Sequence, residues 1–310
     1  MIEKIPLIID TDIGDDIDDV FALLLAMNSP EIELLGVTTV FGNTRLRAMI
    51  AQRLLRMGGY AHVPVYAGAS VPLSNPVMFD RKLDFDAPPL TYLDKYAEPL
   101  RNDMDAAAFI ISVLEKSSIP VTIVTLGALT NIAEVLRRRG DLKDRIRCLH
   151  IMGGAYSINW TEYNFACDPE AAAMVLTSGL LIWAVGVDVT LTCPLTPQHL
   201  APLYAHRHPC LVMAMEMCDR WRQSGHVYLH DPMALWTVFD PDIIEFVPNV
   251  YQVETRGRWT RGICVNLSDH NWKVPSQNSK LHIARKVNIE RFVQPCLDRI
   301  TAFPQDQAAE

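Results

Sequence analysis

The chain has 310 residues, 49% hydrophobic and 21% charged, which is the composition of a folded globular protein and excludes disorder as its main state. Lys+Arg 28 against Asp+Glu 36 leaves a net charge of -8 with no dense basic stripe to offset it, so a nucleic acid is not the expected partner. The seven cysteines are scattered and none forms a Cys-x-x-Cys pair, which excludes a disulfide framework and a zinc knuckle.

The opening residues lack the basic region, apolar core and cleavage site of a leader. Apolar runs such as Leu180–Val187 fall well short of the ~20 residues that span a bilayer. The expectation is a soluble, cytoplasmic protein with no membrane partner. From the N-terminus, Leu7–Ile9 reads as a buried strand, Asp18–Asn28 as a helix, Ile32–Val40 as a strand and Arg45–Met57 as a helix. Ser70 to Asp103 carries five prolines and several charges and reads as a long pocket-flanking loop. Strand and helix then alternate again through Val121–Leu126, Leu129–Arg139, Arg147–Met152, Pro169–Ser178 and Leu181–Val187. Further helices are expected between Pro197 and Phe239, then a strand-like pair, Asp242–Glu254 and Gly262–Leu267, and a last helix around Asn288–Ile300. Strands of continuous apolar character predict an α/β fold, a parallel sheet covered on both faces, in one domain over 1–310.

The densest chemical signal is Asp10-Thr-Asp12-Ile-Gly14-Asp15-Asp16-Ile-Asp18-Asp19, six aspartates in ten residues directly after the first strand. The carboxyl end of a strand in an open α/β sheet borders the ligand crevice. Carboxylates this crowded repel one another unless protons or a cation intervene, and hard oxygen donors suit calcium or magnesium. The plainer reading is a solvated acidic turn with Asp18 capping a helix. Leu229-His230-Asp231-Pro232 also has two readings: a helix start spelled Asp-Pro, or a histidine able to pass a proton near neutral pH beside an acid. Asp168-Pro169 and Asp240-Pro241 carry the same spelling and read as structural. Glu162-Tyr-Asn164 could bind two sugar hydroxyls or be an ordinary loop, and Asn43 at another strand end is equally open. The backbone carbonyl freed at the Leu126 strand-to-helix turn could serve a cation.

Taken in order, these pieces resemble the inosine–uridine-preferring nucleoside hydrolases along nearly the whole chain. The resemblance runs from the Asp10–Asp19 cluster through Val40-Phe-Gly-Asn43, Leu126-Gly-Ala-Leu-Thr-Asn-Ile-Ala133, Met152-Gly-Gly154, Glu162-Tyr-Asn164 and Asp168-Pro-Glu-Ala171 to His230-Asp-Pro232. It implies a Rossmann-like, open, mostly parallel sheet with extra helices over the pocket, a calcium ion, and hydrolysis of ribonucleosides to ribose and free base. It also implies a homodimer or homotetramer. By position, Asp12 matches the ligand that also takes a proton from water. Asp19, Asp231 and the Leu126 carbonyl match further ligands, and His230 matches a proton donor to the departing base. Asp18, Asn43, Glu162 and Asn164 match positions that hold ribose hydroxyls. Asp15-Asp16-Ile17 stands where the family commonly has one residue, which leaves Asp16 as an extra ligand or a substitute. No histidine occurs between His62 and His150, so a base contact common in the family is missing or replaced from the Ser70–Asp103 loop. Tyr228, Trp221, Trp259 and Trp160 are candidates for stacking on a base. Two other functions fit parts of the pattern: a calcium-dependent ribose binder without turnover, and a magnesium phosphatase using Asp10 and Asp12. The second leaves His230-Asp231 and Glu162-Tyr-Asn164 without a role.

Overall fold

The computed structural model describes residues 4–74, 95, 98–102, 104–223, 225–268 and 280–304. The first half alternates β1 (Ile5–Thr11), α1 (Asp18–Met27), β2 (Ile32–Thr39), α2 (Thr44–Met57), β3 (Val65–Ala67), α3 (Ala106–Lys116), β4 (Val121–Thr125), α4 (Thr130–Arg139) and β5 (Ile146–Met152). There follow α5 (Tyr163–Cys167), α6 (Pro169–Leu176), β6 (Ile182–Val185), α7 (Val187–Thr190), α8 (Pro197–Ala205), α9 (Pro209–Trp221) and α10 (His230–Trp236). The chain closes with β7 (Ile244–Pro248), β8 (Tyr251–Val253), β9 (Cys264–Asn266), β10 (Leu281–Val287) and α11 (Ile289–Ile300).

Eight strands form one sheet in the order β3-β2-β1-β4-β5-β6-β10-β7, parallel except for the β10–β7 pair at one edge. Successive β1 residues supply opposite faces: Leu7 and Ile9 pack with α1, α2, α9, α10 and α11, and Ile8 packs with α3, α4 and α6. This two-sided burial is why the strands read as continuous apolar runs. α1 is buried at every residue, in keeping with a sequence that is apolar on nearly all sides after its two aspartates. The chain leaves β1 towards β2 and β3, then returns across β1 to β4 and moves the other way. The carboxyl ends of β1 and β4 therefore flank the topological switch point, where open α/β sheets carry their crevice.

The structure departs from the sequence expectation at several places. Asp242–Glu254 is not one strand: β7 joins the large sheet, whereas β8 pairs with β9 in a separate two-stranded sheet. The Pro248-Asn249 break redirects the chain between them. Val187 belongs to α7 rather than to the strand before it. β3, α3 and β10 were unmarked by pattern; β10 lies next to the sheet edge, and its exposed Arg285 and Lys286 interrupt the apolar run. Most of the expected Ser70–Asp103 loop lies outside the described residues. All seven cysteines are free and buried. Among the described residues no helix is long and apolar enough to cross a membrane.

Candidate active site

The acidic segment turns back at the end of β1, with Gly14 at φ 124°, a conformation open to glycine at little cost. Asp12, Asp18 and Asp19 are all buried, so the solvated-turn reading fails. Asp18 is not a cap either: Ile17 occupies that position without a side-chain bond, and Asp18 and Asp19 fall in the first turn of α1. Likewise Asp231 lies inside α10, whose N-cap is Leu229. One carboxylate oxygen from each of Asp18, Asp19 and Asp231 lies within 4.8 Å of the other two, an arrangement that could hold a metal ion. The Asp231 amide donates to Asp18 Oδ2 at 3.1 Å, and Thr11 Oγ1 donates to Asp19.

The protonation of these acids follows from their confinement. Burial raises Asp19 to about 7, with Asp18 adding repulsion, and raises Asp16 to about 8. Asp12, Asp18 and Asp231 are pushed well above the carboxylate range, first by burial and then by their acidic neighbours. Such a group is a poor set of free anions and a good set of ligands, because a divalent cation supplies the charge that burial withholds. Asp10 differs. Its Oδ1 accepts from Thr38 Oγ1 at 2.5 Å and Asn131 Nδ2 at 2.8 Å, and burial raises it to about 7. Tied into the sheet in this way, it serves to join β1, β2 and the start of α4.

Asp12 faces the turn after β4 at close range. A Cβ on Gly127 would stand 2.7 Å from Val40 Cγ1 and 3.0 Å from Asp12 Cβ, so only glycine lets the Leu126 turn approach. The Leu126 carbonyl accepts from Asn164 Nδ2 at 2.8 Å, and the same amide reaches the Met152 carbonyl at 3.1 Å. Glu162 caps α5, accepting from the amides of Asn164 (2.8 Å), Phe165 (3.1 Å) and Gly154 (2.8 Å). It therefore builds this loop while staying buried. Asn43 caps α2 through the Leu46 amide at 3.1 Å and remains half-buried.

His230 Nδ1 lies 2.5 Å from Thr190 Oγ1, and burial lowers the ring to about 4. Tyr228 is tilted against it, with ring centroids 5.1 Å apart. The other aromatic candidates are placed differently. Trp221 ends α9 and donates to the His226 carbonyl at 2.9 Å. Trp160 is exposed, and Trp259 is 80% exposed between β8 and β9, beside Arg258. Of the two Asp-Pro pairs read as structural, Asp168 caps α6 through the Ala171 amide at 3.0 Å, while Asp240 forms an ion pair with Arg291 at 3.2 Å.

Sequence reasoning missed Tyr163 and Arg47. The Tyr163 ring meets Phe41 edge-on at 6.3 Å, and its phenol lies within electrostatic reach of Asp15 and Asp12. Arg47 is buried beneath the acidic turn. Its signal was available: positions 47, 50, 51 and 54 form the apolar stripe of α2, and an arginine on such a stripe needs a partner.

Comparison with known proteins agrees with this geometry. The family described as inosine-uridine preferring nucleoside hydrolase matches residues 7–294. Uridine nucleosidase 1 of Arabidopsis thaliana is 35% identical over 277 residues, 84% of this chain and 80% of the relative. Non-specific ribonucleoside hydrolase RihC of Escherichia coli (strain SMS-3-5 / SECEC) is 35% identical over 302 residues, 94% of this chain and 96% of the relative. Among solved structures, a purine-preferring ribonucleoside hydrolase from Gardnerella vaginalis superimposes with a TM-score of 0.81 at 28% identity, covering 96% of this chain and 98% of that one. A buried acid cluster at the switch point of a parallel sheet, and a family match along nearly all of the sequence, lead to one assignment: the chain belongs to the inosine-uridine preferring nucleoside hydrolases and is an enzyme of ribonucleoside hydrolysis.

Proposed function

We propose that the protein hydrolyses the N-glycosidic bond of ribonucleosides in a calcium-dependent reaction, releasing ribose and the free base. The observation that carries the metal-dependent reading is the convergence of Asp18, Asp19 and Asp231, three buried carboxylates from two distant segments, beside Asp12. All donors are hard oxygens, which fit calcium better than zinc. Asp12, Asp19, Asp231 and the Leu126 carbonyl would hold the ion, with Asp18 near enough to share that duty. Bound calcium supplies a Lewis acid that lowers the pKa of water and keeps the surrounding acids ionised.

In the reaction C1′–N breaks, C1′–O forms from water, one water proton passes to Asp12, and the base leaves with the C1′–N electron pair and a proton donated through His230. Asp12 lies against the Gly127 turn, and it serves as a base only when ionised. Asp16, Asp18, Asn43, Glu162 and Asn164 would hold ribose hydroxyls, with Glu162 and Asn164 already oriented by their backbone bonds. The negative surroundings favour the oxocarbenium-like sugar as charge develops. His230 would serve the departing base. When the Thr190 hydroxyl donates to Nδ1, the proton stays on Nε2, free to donate a hydrogen bond. Tyr228 is the best supported of the stacking candidates, and Trp221 and Trp259 are secondary. A cytoplasmic homodimer or homotetramer completes the proposal on the strength of the resemblance, and light scattering tests the oligomer.

The decisive experiment measures ribose release from a panel of purine and pyrimidine ribonucleosides, with calcium and again after chelation. Calcium-dependent release is the expected result. Ribose binding by calorimetry without release from any nucleoside would replace this proposal with that of a binder.

A further inference from the structure

From α2, one buried charge of the opposite sign reaches the acidic turn, and the reaction does not use it. Arg47 is 2% exposed and spends every nitrogen of its guanidinium on the loops around the site. Nε donates to the Phe41 carbonyl at 2.8 Å, and Nη1 donates to the Asp12 carbonyl and to the Ile13 carbonyl at 3.1 Å. Nη2 pairs with Asp15 Oδ2 at 2.8 Å, and the Asp15 carboxylate is itself about one-third exposed. Asp15 lies in the acidic turn itself, so the buried arginine is paired with an acid of that turn.

A second observation concerns the backbone. Phe41 has φ 63°, the one positive value for a non-glycine among the described residues. An aromatic residue in that region is strained by the order of 1 kcal/mol or more, and such strain persists only where the surroundings hold it. The Arg47 Nε bond to the Phe41 carbonyl is part of what holds it, together with the Phe41 amide bond to the Ala69 carbonyl at 2.8 Å. Phe41 in turn meets the Tyr163 ring edge-on, between Glu162 and Asn164.

We propose that Arg47 is a positioning residue that clamps the Asp12–Asp16 turn, the Phe41–Asn43 turn and, through Phe41, the Tyr163 segment into the geometry that receives the metal and the ribose. The inference rests on the proposed metal-dependent reading, but it concerns geometry rather than charge. The two accounts predict opposite signs. A cation beside a cation site weakens binding by repulsion, so a purely electrostatic Arg47 would lower calcium affinity and its removal would raise it. A clamp would do the reverse. Lysine keeps the charge and loses the planar fork that reaches three carbonyls and a carboxylate at once.

The test is calcium binding to metal-free Arg47→Lys and Arg47→Met by calorimetry, with KM and kcat for a nucleoside alongside. The clamp predicts that both variants bind calcium about 10–100-fold more weakly, the usual cost of losing a partner that orients metal ligands, with KM rising in both. Tighter calcium binding in Arg47→Met with Arg47→Lys unchanged would overturn it in favour of charge. Lower melting temperatures with unchanged calcium affinity and KM would overturn it in favour of ordinary packing. Should either variant not fold, hydrogen exchange on the unaltered protein still decides: the amides of 12–17 are expected to be equally protected with and without calcium, and rapid exchange in the metal-free protein would overturn the clamp. Absence of calcium binding by the unaltered protein would remove the metal reading alone, leaving KM and the exchange of this turn to judge Arg47.

Discussion

Asp231→Asn is expected to make the metal-free protein more stable while abolishing its response to calcium. Asparagine has the same shape, so packing is preserved and only the charge changes. Two carboxylates 4.8 Å apart, the span of the Asp18, Asp19 and Asp231 oxygens, repel by about 3 kcal/mol at an effective dielectric of 20. Asp231 faces Asp18 and Asp19 at that range and Asp12 beyond them. Uptake of protons relieves much of this repulsion, because all these acids are raised by burial. The net gain is therefore about 1–2 kcal/mol, or roughly 1.5–3 °C in melting temperature for a chain of this length. The assay is thermal unfolding at pH 7.5 in chelator and in millimolar calcium. The unaltered protein gains stability with calcium, by about 2.7 kcal/mol at a hundred times Kd. The variant starts higher, gains nothing and releases no ribose. A variant less stable than the parent in chelator would refute the claim that the cluster is mutually repulsive. A retained calcium shift would remove Asp231 from the ligand set.

Three further outcomes follow from the same structure. Folded values of about 7 for Asp10 and Asp19 and about 8 for Asp16 lie above the ordinary 3.8, so the folded chain holds extra protons in between. Their contribution to stability is present below about pH 4 and lost as pH rises through 7 to 8; melting in chelator should fall across that window, and calcium should flatten the profile. His150 works in the opposite sense: burial lowers it from 6.5 to about 3 while its Nδ1 lies 2.7 Å from Thr237 Oγ1. Its contribution is present above pH 6.5 and lost as pH falls towards 3, so His150→Gln should reduce the acid-side loss in guanidinium titrations at pH 4 and 7. His230→Ala should slow purine nucleosides by roughly 10²–10⁴-fold, as for loss of a general acid or its hydrogen bond, and slow an activated aryl riboside far less; equal losses on both would remove its role at the leaving group.

Much of the site was legible because it is locally spelled. The Asp10–Asp19 segment, the Asn43, Leu126 and Gly154 strand ends and His230-Asp231 each follow an apolar run, and period and turn residues are properties of a short window. The plainer readings were legible too, and only burial chose between them. Asp18 and Asp231 could have been solvated helix starts, yet both lie inside helices with other residues at the cap. Glu162 and Asn43 are both helix caps, a role that does not exclude a sugar contact. Trp259 was an aromatic in the right stretch of chain, but the β8–β9 connection carries it into solvent.

What the sequence determined by itself is the order of elements, the two-sided sheet and the identity of the crowded acids. These depend on hydrophobic period and composition, which each segment carries without its neighbours. The tertiary structure alone decided which acids meet: Asp231 reaches Asp18 across 213 residues of chain. It also divided Asp242–Glu254 between two sheets and turned Arg47 from one more helical cation into the buried partner of three carbonyls. Those outcomes depend on where the desolvated charges end up relative to one another. Desolvation belongs to the packed chain as a whole, and no window of sequence contains it.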